Sequence, residues 1–159
     1  SRALKDHPEI SKKTKEQVRA CALRLHYKPN VMASNLRTSK NTTIGVMMPE
    51  LNHHFFASVL DGIEQTAKKY GYNILICQSR EDVDKEVQNV QTLLRSRVAG
   101  MLVGVSKETK SLQHLQDVLD SHVPLVLFDR PCPSLPCDQV VSDDYLGAYK
   151  AVEHLIRVF

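Results

Sequence analysis

The sequence lacks the residue patterns that mark nucleotide-binding and membrane proteins. It has no tryptophan and only six glycines in 159 residues, and no glycines form a G-x-G-x-x-G motif or a phosphate-binding loop. No apolar run approaches the roughly 18 residues of a membrane span, and no basic-then-apolar export leader is present. We therefore expect neither a dinucleotide nor a nucleoside triphosphate as ligand, no membrane partner, and a cytoplasmic location.

Sets of catalytic and metal-binding residues are also missing. His53 and His54 are adjacent rather than four residues apart, and neither an H-E-x-x-H motif nor a G-x-S-x-G elbow occurs. The sequence therefore predicts no catalytic residues, no metal site and no cofactor, which disfavours a small α/β enzyme.

Cysteine usage is low, with four residues at positions 21, 77, 132 and 137. Cys21 and Cys77 lie within apolar patterns, where a free cysteine behaves as a small hydrophobic residue. Two prolines separate Cys132 from Cys137, which argues against a metal knuckle. We expect four reduced thiols, with a loop disulfide between Cys132 and Cys137 as the alternative.

Charge divides the chain into two parts of opposite sign. Residues 1–43 contain ten lysines and arginines against three acids, whereas residues 44–159 contain eleven basic and fifteen acidic residues. The net charge of +3 therefore combines a front part of +7 with a body of −4. A compact basic head suggests a polyanion such as nucleic acid as its partner, and a solvated basic helix face is the alternative.

The basic part carries the signals of two helices. Ser11 is a good N-cap for a helix that runs to about Leu25. Its apolar residues recur at helical spacing, at Val18, Cys21, Ala22 and Leu25. A second helix, at about Asn30–Leu36, follows Pro29 and is too short to be stable alone, so it needs a partner to order it.

The body alternates apolar runs with helical patterns. The predicted strands are Ile44–Met48, Ile74–Cys77, Met101–Val105 and Leu125–Phe128, with a short fifth strand at Val140–Val141. The predicted helices are about Phe55–Tyr70, Asp82–Arg97, Ser111–Ser121 and Asp144–Val158. Strands and helices that alternate at this spacing indicate right-handed βαβ units, so we predict an α/β fold with a buried parallel sheet.

Two of these helices have apolar stripes that predict their buried faces. The first carries Phe56, Val59, Leu60, Ile63 and Ala67, and the second carries Val83, Val87, Val90 and Leu94. Three acids, Asp82, Asp84 and Glu86, mark the beginning of the second helix, where carboxylates interact favourably with the helix dipole. We interpret them as a helix start rather than a calcium loop.

Aromatic, acidic and basic residues follow the predicted strands. Phe55 and Phe56 come shortly after the first strand, and Asp129 and Arg130 come directly after the fourth. Open α/β sheets bind ligands beyond the carboxyl ends of their strands, and such side chains suit a sugar-like or other polar ligand. These four residues are the candidate effector contacts. The alternatives are that Phe56, and less so Phe55, belongs to the helix core and that Asp129 caps a turn.

With both parts described, the chain resembles the lactose-repressor/galactose-repressor family of bacterial transcription regulators. The matching segments of the front part are Ser1-Arg2-Ala3-Leu4, Ile10-Ser11, Leu25-His26-Tyr27-Lys28-Pro29-Asn30 and Ala33-Ser34-Asn35-Leu36-Arg37. The matching segments of the body include Ile44-Gly45-Val46, Phe55-Phe56, Gly71-Tyr72, Val98-Ala99-Gly100-Met101 and Phe128-Asp129-Arg130. The segments occur in the family's order and cover nearly the whole chain.

The resemblance implies a fold and a set of domains. Residues 1–28 would be part of a helix-turn-helix head, residues 29–43 a hinge helix and linker, and residues 44–159 a periplasmic-binding-protein-like lobe. The family's first two helices and its second lobe find no counterpart, so we expect a chain that is open at both ends.

The resemblance also implies residue roles in DNA binding. Ser1 and Arg2 would contact phosphate at the end of the major-groove helix, and Tyr27 and Asn30 would lie near the DNA backbone. The hinge helix would include Ala33, Ser34, Leu36 and Arg37. Leu36 would act as a minor-groove wedge, while Ser34 departs from the arginine that relatives often carry. Phe55 and Asp129 match effector-pocket positions.

The expected function is that of a ligand-responsive, sequence-specific DNA-binding transcription regulator, a repressor, with no chemistry done on the ligand. Its expected partners are a double-stranded operator, a small-molecule effector such as a sugar or related metabolite, and a second copy of itself. A periplasmic sugar-binding protein would share the body and is the alternative. The basic head and hinge argue against it.

Overall fold

A computed structural model describes residues 2–27 and 41–158 of the chain. The chain divides into two compact units, Ser1–Lys40 and Asn41–Phe159. The predicted hinge helix at about Asn30–Leu36 lies outside the described residues.

Within residues 2–27, the first unit contains a short 3₁₀ helix, Ala3–Lys5, and helix α1, Lys12–Arg24. The predicted N-cap is confirmed, because the Ser11 hydroxyl accepts a hydrogen bond from the Thr14 amide at 3.2 Å. The predicted apolar stripe is less covered than its spacing suggests. No residue of α1 is buried, and Leu25 is 67% exposed.

The second unit is built on five strands and four helices. The strands are β1 Thr43–Met48, β2 Asn73–Gln78, β3 Gly100–Gly104, β4 Leu125–Phe128 and β5 Asp138–Val140. The helices are α2 His54–Lys69, α3 Val83–Arg95, α4 Gln113–Asp120 and α5 Asp144–Val158. Every predicted strand and helix of the body is present. Leu125–Phe128 and Asp144–Val158 have the predicted bounds, and no end of the other elements differs by more than two residues.

The five strands form one parallel sheet in the order β2-β1-β3-β4-β5. Val46 of β1 lies opposite Ile76 of β2 on one side and Leu102 of β3 on the other. The strand order reverses direction between β1 and β3, since the chain moves outward to β2 and then crosses back. Such a switch point leaves a crevice at the carboxyl ends of the strands.

Side chains that alternate along the strands form two cores, one on each face of the sheet. One core joins Met47, Met101, Val103, Leu125 and Leu127 of the sheet to Val90 and Leu93 of α3 and to Leu115 and Val118 of α4. The other joins Val46, Met48 and Phe128 of the sheet to Phe56 of α2. The predicted α/β fold with a buried parallel sheet is therefore confirmed.

The predicted buried face of α3 differs from the observed one. In α3 the buried residues are Glu86, Val90 and Leu93, whereas Val87 is 36% exposed. The observed face has the helical spacing i, i+4, i+7, with Glu86 as its first residue. A prediction that counts only apolar residues leaves Glu86 out of this face. Helix α5 has the predicted bounds but buries none of its residues.

Candidate functional site

The residues that follow β1 to β4 lie at one edge of the parallel sheet, which we call the carboxyl edge. It comprises residues 49–55 after β1, 79–81 after β2, 105–109 after β3 and 129–130 after β4. Parallel strands bring these segments together although they are far apart in sequence. The four candidate effector contacts all lie at or directly behind this edge.

An ion pair crosses the carboxyl edge. The Arg130 guanidinium donates to both carboxylate oxygens of Glu81, at 2.9 and 3.0 Å. Glu81 follows β2 and Arg130 follows β4, so the pair spans the ends of β1 and β3, which lie between them in the sheet. The two side chains are 20% and 27% exposed, which limits screening by solvent.

The same ion pair holds the segment that follows β3. Arg130 donates a further hydrogen bond to the Val105 carbonyl at 2.5 Å, and the Lys107 amide donates to Glu81 at 2.7 Å. Burial by itself raises the pKa of Glu81, but the hydrogen bonds from Arg130 and the Lys107 amide outweigh it. The pKa of Glu81 is therefore lowered, and Glu81 is a carboxylate at neutral pH.

The backbone at the carboxyl edge is strained. Arg80, Glu81 and Asp129 have φ of 56°, 58° and 73°, in the left-handed region that non-glycine residues seldom adopt. Each such residue costs about 1 kcal/mol or more unless its surroundings hold it there. The Arg80 amide is held by the Pro49 carbonyl at 2.8 Å, and the Asp129 amide by the Val140 carbonyl at 3.1 Å.

A buried polar cluster lies behind the segment that follows β3. The carboxylate of Glu86 accepts hydrogen bonds from the Ser106 amide at 2.6 Å and the Thr109 hydroxyl at 2.8 Å, and it pairs with His114 Nε2 at 2.9 Å. The Ser106 hydroxyl also shares a hydrogen bond of 2.9 Å with Ser79. The cluster therefore ties α3, α4 and the ends of β2 and β3 to one another.

The electrostatics of Glu86 follow from these contacts. Burial by itself raises the pKa of Glu86, since its side chain is fully covered, but hydrogen bonds from His114, Ser106 and Thr109 outweigh burial. The net pKa of Glu86 is lowered. His114 is itself 4% exposed, so this acid–base pair is closed to a substrate and its contacts are structural.

This cluster was not predicted from the sequence. The predicted helix start is confirmed, because the Asp82 carboxylate accepts from the Lys85 amide at 3.1 Å and both Asp84 and Glu86 lie in the first turn of α3. The burial of Glu86 was not predicted. The position of Glu86 in the sequence could have indicated its burial. It precedes Val90 and Leu93 by four and seven residues, so it lies on the same face of the helix.

The two phenylalanines occupy different environments. Phe55 is 40% exposed at the carboxyl edge, whereas Phe56 is 5% exposed and belongs to the core. The ring of Phe56 meets those of Phe55 and Phe128 edge-on, with centroids 5.1 and 6.5 Å apart. Of the alternatives weighed for Phe56, the structure places it in the helix core, where it supports the exposed Phe55 ring.

The two predicted effector contacts after β4 also differ. Asp129 is half-exposed, and its carboxylate lies 3.7 Å from Arg130 Nε. The terminal nitrogens of Arg130 are engaged by Glu81 and Val105. The Asp129 carboxylate is therefore partly accessible to solvent, whereas Arg130 is held by contacts within the carboxyl edge.

The structure describes two of the eight predicted DNA contacts. Arg2 is exposed and forms a 3.5 Å ion pair with Glu9, and Tyr27 is 56% exposed. The other six, Ser1, Asn30, Ala33, Ser34, Leu36 and Arg37, lie outside the described residues. Asp6 pairs with Lys15 at 3.1 Å and Arg19 at 3.4 Å, which lowers the pKa of Asp6 and offsets part of the head's positive charge.

The cysteines are free thiols, as predicted, and Cys132 and Cys137 do not form the alternative loop disulfide. The Gln139 side chain instead holds that loop, since it accepts from the Cys132 amide and donates to the Cys132 carbonyl, each at 2.9 Å. Within residues 2–27 and 41–158, no group of three or more potential ligand side chains is placed to hold a metal ion. The helices in the same ranges include none that is long and apolar enough for a membrane crossing.

Comparison with known proteins identifies the family of the body and of the whole chain. Residues 44–157 match the family model described as periplasmic binding protein domain. The HTH-type transcriptional regulator DegA of Bacillus subtilis (strain 168) is 29% identical over 159 residues, which cover 99% of this chain and 47% of that protein. The chain thus spans about half the length of the relatives it matches.

Solved structures give the same result. The lac repressor dimer bound to operator and the anti-inducer ONPF superimposes with a TM-score of 0.82 at 25% identity, over 98% of this chain and 47% of that one. A periplasmic binding protein/LacI transcriptional regulator from Alkaliphilus metalliredigens QYMF, complexed with D-xylulofuranose, has a TM-score of 0.58 at 28% identity, over 74% of this chain and 41% of that one. Sequence and structure together place this chain in the lactose-repressor/galactose-repressor family, with a body of the periplasmic-binding-protein type.

Proposed function

We propose that the protein is a ligand-responsive, sequence-specific DNA-binding transcription regulator that acts as a repressor in the cytoplasm. The observation that carries the proposal is the extent of the similarity. The match to DegA covers 99% of this chain, and the match to the operator-bound lac repressor covers 98%, so both include the basic head as well as the body. A sugar-binding protein that shared only the body would match over about residues 44–157, as the domain model does.

The charge distribution supports a nucleic-acid partner for the head. Residues 1–43 carry a net charge of +7, and α1 presents most of its basic side chains to solvent. Positive charge supplies the sequence-independent part of DNA affinity through release of counterions from the phosphates. In this proposal Ser1 and Arg2 contact phosphates, Tyr27 and Asn30 lie near the DNA backbone, and Leu36 inserts into the minor groove.

The carboxyl edge supports a small polar effector for the body. Phe55 offers an exposed ring for stacking on a flat ligand face, and Asp129 offers carboxylate oxygens to hydroxyl donors. Phe56 and Arg130 position these two residues from behind. The D-xylulofuranose bound by the relative from Alkaliphilus metalliredigens favours a sugar or related metabolite as the class of ligand.

A second copy is the remaining partner in the proposal. The lac repressor that resembles this chain is a dimer on its operator. Helix α5 leaves apolar side chains uncovered, among them Tyr145 at 82% and Ile156 at 75% exposure. Exposed apolar surface of this kind is typical of faces that pack against another element or protomer. The relatives' names describe regulators rather than enzymes, which favours an effector that is bound and released unchanged.

A ligand screen on the natural protein that contains this sequence tests the sensor part of the proposal. We expect at least one compound from a panel of monosaccharides and nucleobases to raise the melting temperature and to change operator affinity. The variant Asp129→Asn removes the charge and keeps a side chain that tolerates positive φ, so it should lose both responses while still binding DNA. Asp138→Asn, at an exposed position of β5, is the matched control. Unchanged ligand affinity in Asp129→Asn would remove Asp129 from the site.

A further inference from the structure

We propose that Glu81 determines the charge class of the effector by filling the anion-binding position of the carboxyl edge with its own carboxylate. The edge then accepts a neutral polyhydroxy ligand and rejects one whose recognised group is a free carboxylate or phosphate. The inference rests on the proposed effector site and adds a specificity-determining residue to it.

The donors that meet at Glu81 are those that an anionic ligand would need. Arg130 presents a two-pronged guanidinium at 2.9 and 3.0 Å from the carboxylate, and the Lys107 backbone amide points to the same group at 2.7 Å. A guanidinium fork with an added amide N–H is a strong arrangement for binding carboxylate or phosphate. In this protein these donors bind the Glu81 carboxylate, which belongs to the chain itself.

Two further donor groups of Arg130 also face acceptors of the chain. One terminal nitrogen donates to the Val105 carbonyl at 2.5 Å, and Nε faces the Asp129 carboxylate at 3.7 Å. A ligand anion that binds Arg130 would therefore have to displace Glu81. The displaced carboxylate would then be partly buried without its ion-pair partner, which is energetically unfavourable. Arg80 and the Lys107 ammonium add positive charge. Both side chains are exposed, so salt and water screen their attraction for an anion.

The backbone shows that the position of Glu81 is built into the fold. Arg80 and Glu81 are consecutive residues with φ of 56° and 58°, between the buried Ser79 and the N-cap of α3 at Asp82. The Arg80 amide bonds to the Pro49 carbonyl at 2.8 Å and the Asp82 amide to the Ser79 carbonyl at 3.2 Å. These contacts hold a turn that non-glycine residues disfavour, and the turn directs Glu81 to Arg130.

Inorganic phosphate is the probe that tests the inference, because it needs neither the effector nor DNA. Its binding to the 159-residue chain is measured by NMR titration of the Lys107 amide and the Arg130 Nε–H. We expect Glu81→Gln, which keeps the shape and removes the charge, to bind phosphate about tenfold or more tightly than the wild type, as expected for freeing a charged hydrogen-bond donor. Adding Arg130→Gln to Glu81→Gln should abolish the gain.

Glu108→Gln is the matched control, since it removes the same charge from an exposed position of the same segment. Equal phosphate affinity in the wild type and Glu81→Gln, or an equal gain in Glu108→Gln, would overturn the inference. Glu81→Ala is the second variant, and loss of the folded NMR spectrum in both Glu81 variants would assign Glu81 a structural role instead. Because no operator is used, failure here leaves the regulator proposal standing, and failure of operator binding leaves this result unaffected.

Discussion

At the residue scale, Glu86 links α3 to α4 and to the segment that follows β3. Its carboxylate accepts hydrogen bonds from the Ser106 amide and the Thr109 hydroxyl of the segment after β3, and it pairs with the His114 imidazole of α4. A buried carboxylate is tolerated only when its oxygens are paired, and here they are. Glu86 therefore holds in place the same segment that Glu81 and Arg130 contact from the carboxyl edge.

Removing the Glu86 carboxylate should destabilise the body strongly. We expect Glu86→Ala to lower the free energy of unfolding by about 2–4 kcal/mol, since it leaves the buried Ser106 amide, the buried His114 and the part-buried Thr109 hydroxyl without their partner and opens a cavity. Urea denaturation measures the change. Glu108→Ala, at an exposed position, should stay within about 0.5 kcal/mol of the wild type. A similar small effect of Glu86→Ala would mean that the cluster contributes little to stability.

The lowered pKa values of Glu81 and Glu86 predict acid sensitivity of the fold. Both pKa values lie below the ordinary 4.5 in the folded chain, so the unfolded chain takes up protons first as the pH falls below about 4.5. The stability that the two carboxylates provide is present above that pH and is lost as the pH drops through their folded values. Glu86→Gln should show a shallower loss of urea midpoint between pH 5 and pH 3. An unchanged slope would contradict the assignment.

At the element scale, each strand and helix of the body, like helix α1 of the first unit, follows from a local pattern. Apolar runs such as Leu125–Phe128 and the capping residue Ser11 act within a few residues, so the sequence locates them well. The buried face of α3 was predicted less well, because a carboxylate is buried only when donors from distant segments meet it. The sequence shows Glu86 but does not show that Ser106 and His114 will lie beside it.

Glycine placement in the sheet gives a test of packing between elements. A Cβ at Gly104 of β3 would lie 3.0 Å from Phe128 Cζ and 3.0 Å from Pro49 Cδ. We therefore expect Gly104→Ala to destabilise the chain by about 1–3 kcal/mol through overpacking. Gly62→Ala in α2 has open space around it and should instead stabilise by up to about 1 kcal/mol. Thermal unfolding compares the two, and equal melting temperatures would contradict the packing described for β3 and β4.

At the scale of the whole molecule, the candidate site was predicted in part. Asp129 and Phe55 were placed at the carboxyl edge because strand ends in a parallel sheet converge. The sequence did not indicate that Glu81 would pair with Arg130 across β1 and β3, since 49 residues separate them. Phe56 and Arg130 carry the same local signals as Phe55 and Asp129. Only tertiary contacts show that Phe56 is buried in the core and that Arg130 is engaged by Glu81 and Val105.

The proposed division between a DNA-binding head and a sensing body predicts a selective effect of Leu36→Ala in the natural protein. Operator affinity should fall about tenfold or more and the DNA bend should decrease, because the bend that the wedge produces allows wider protein contact, which offsets the few kcal/mol that unstacking costs. Affinity for random duplex should change less. Leu23→Ala, the same truncation at an exposed position of α1, is the control. Fluorescence anisotropy and a circular-permutation bending assay measure the two effects, and equal losses on operator and random DNA would rule out the wedge.

Selection from a random duplex library by the natural protein that contains this sequence tests the central proposal most directly. We predict that one motif is enriched and that it has the approximate two-fold symmetry expected for a homodimer. The enriched duplex should bind at least about a thousandfold more tightly than a scrambled one at physiological salt. A library that stays random after selection, or equal affinity for enriched and scrambled duplexes, would contradict the account of this protein as a sequence-specific regulator.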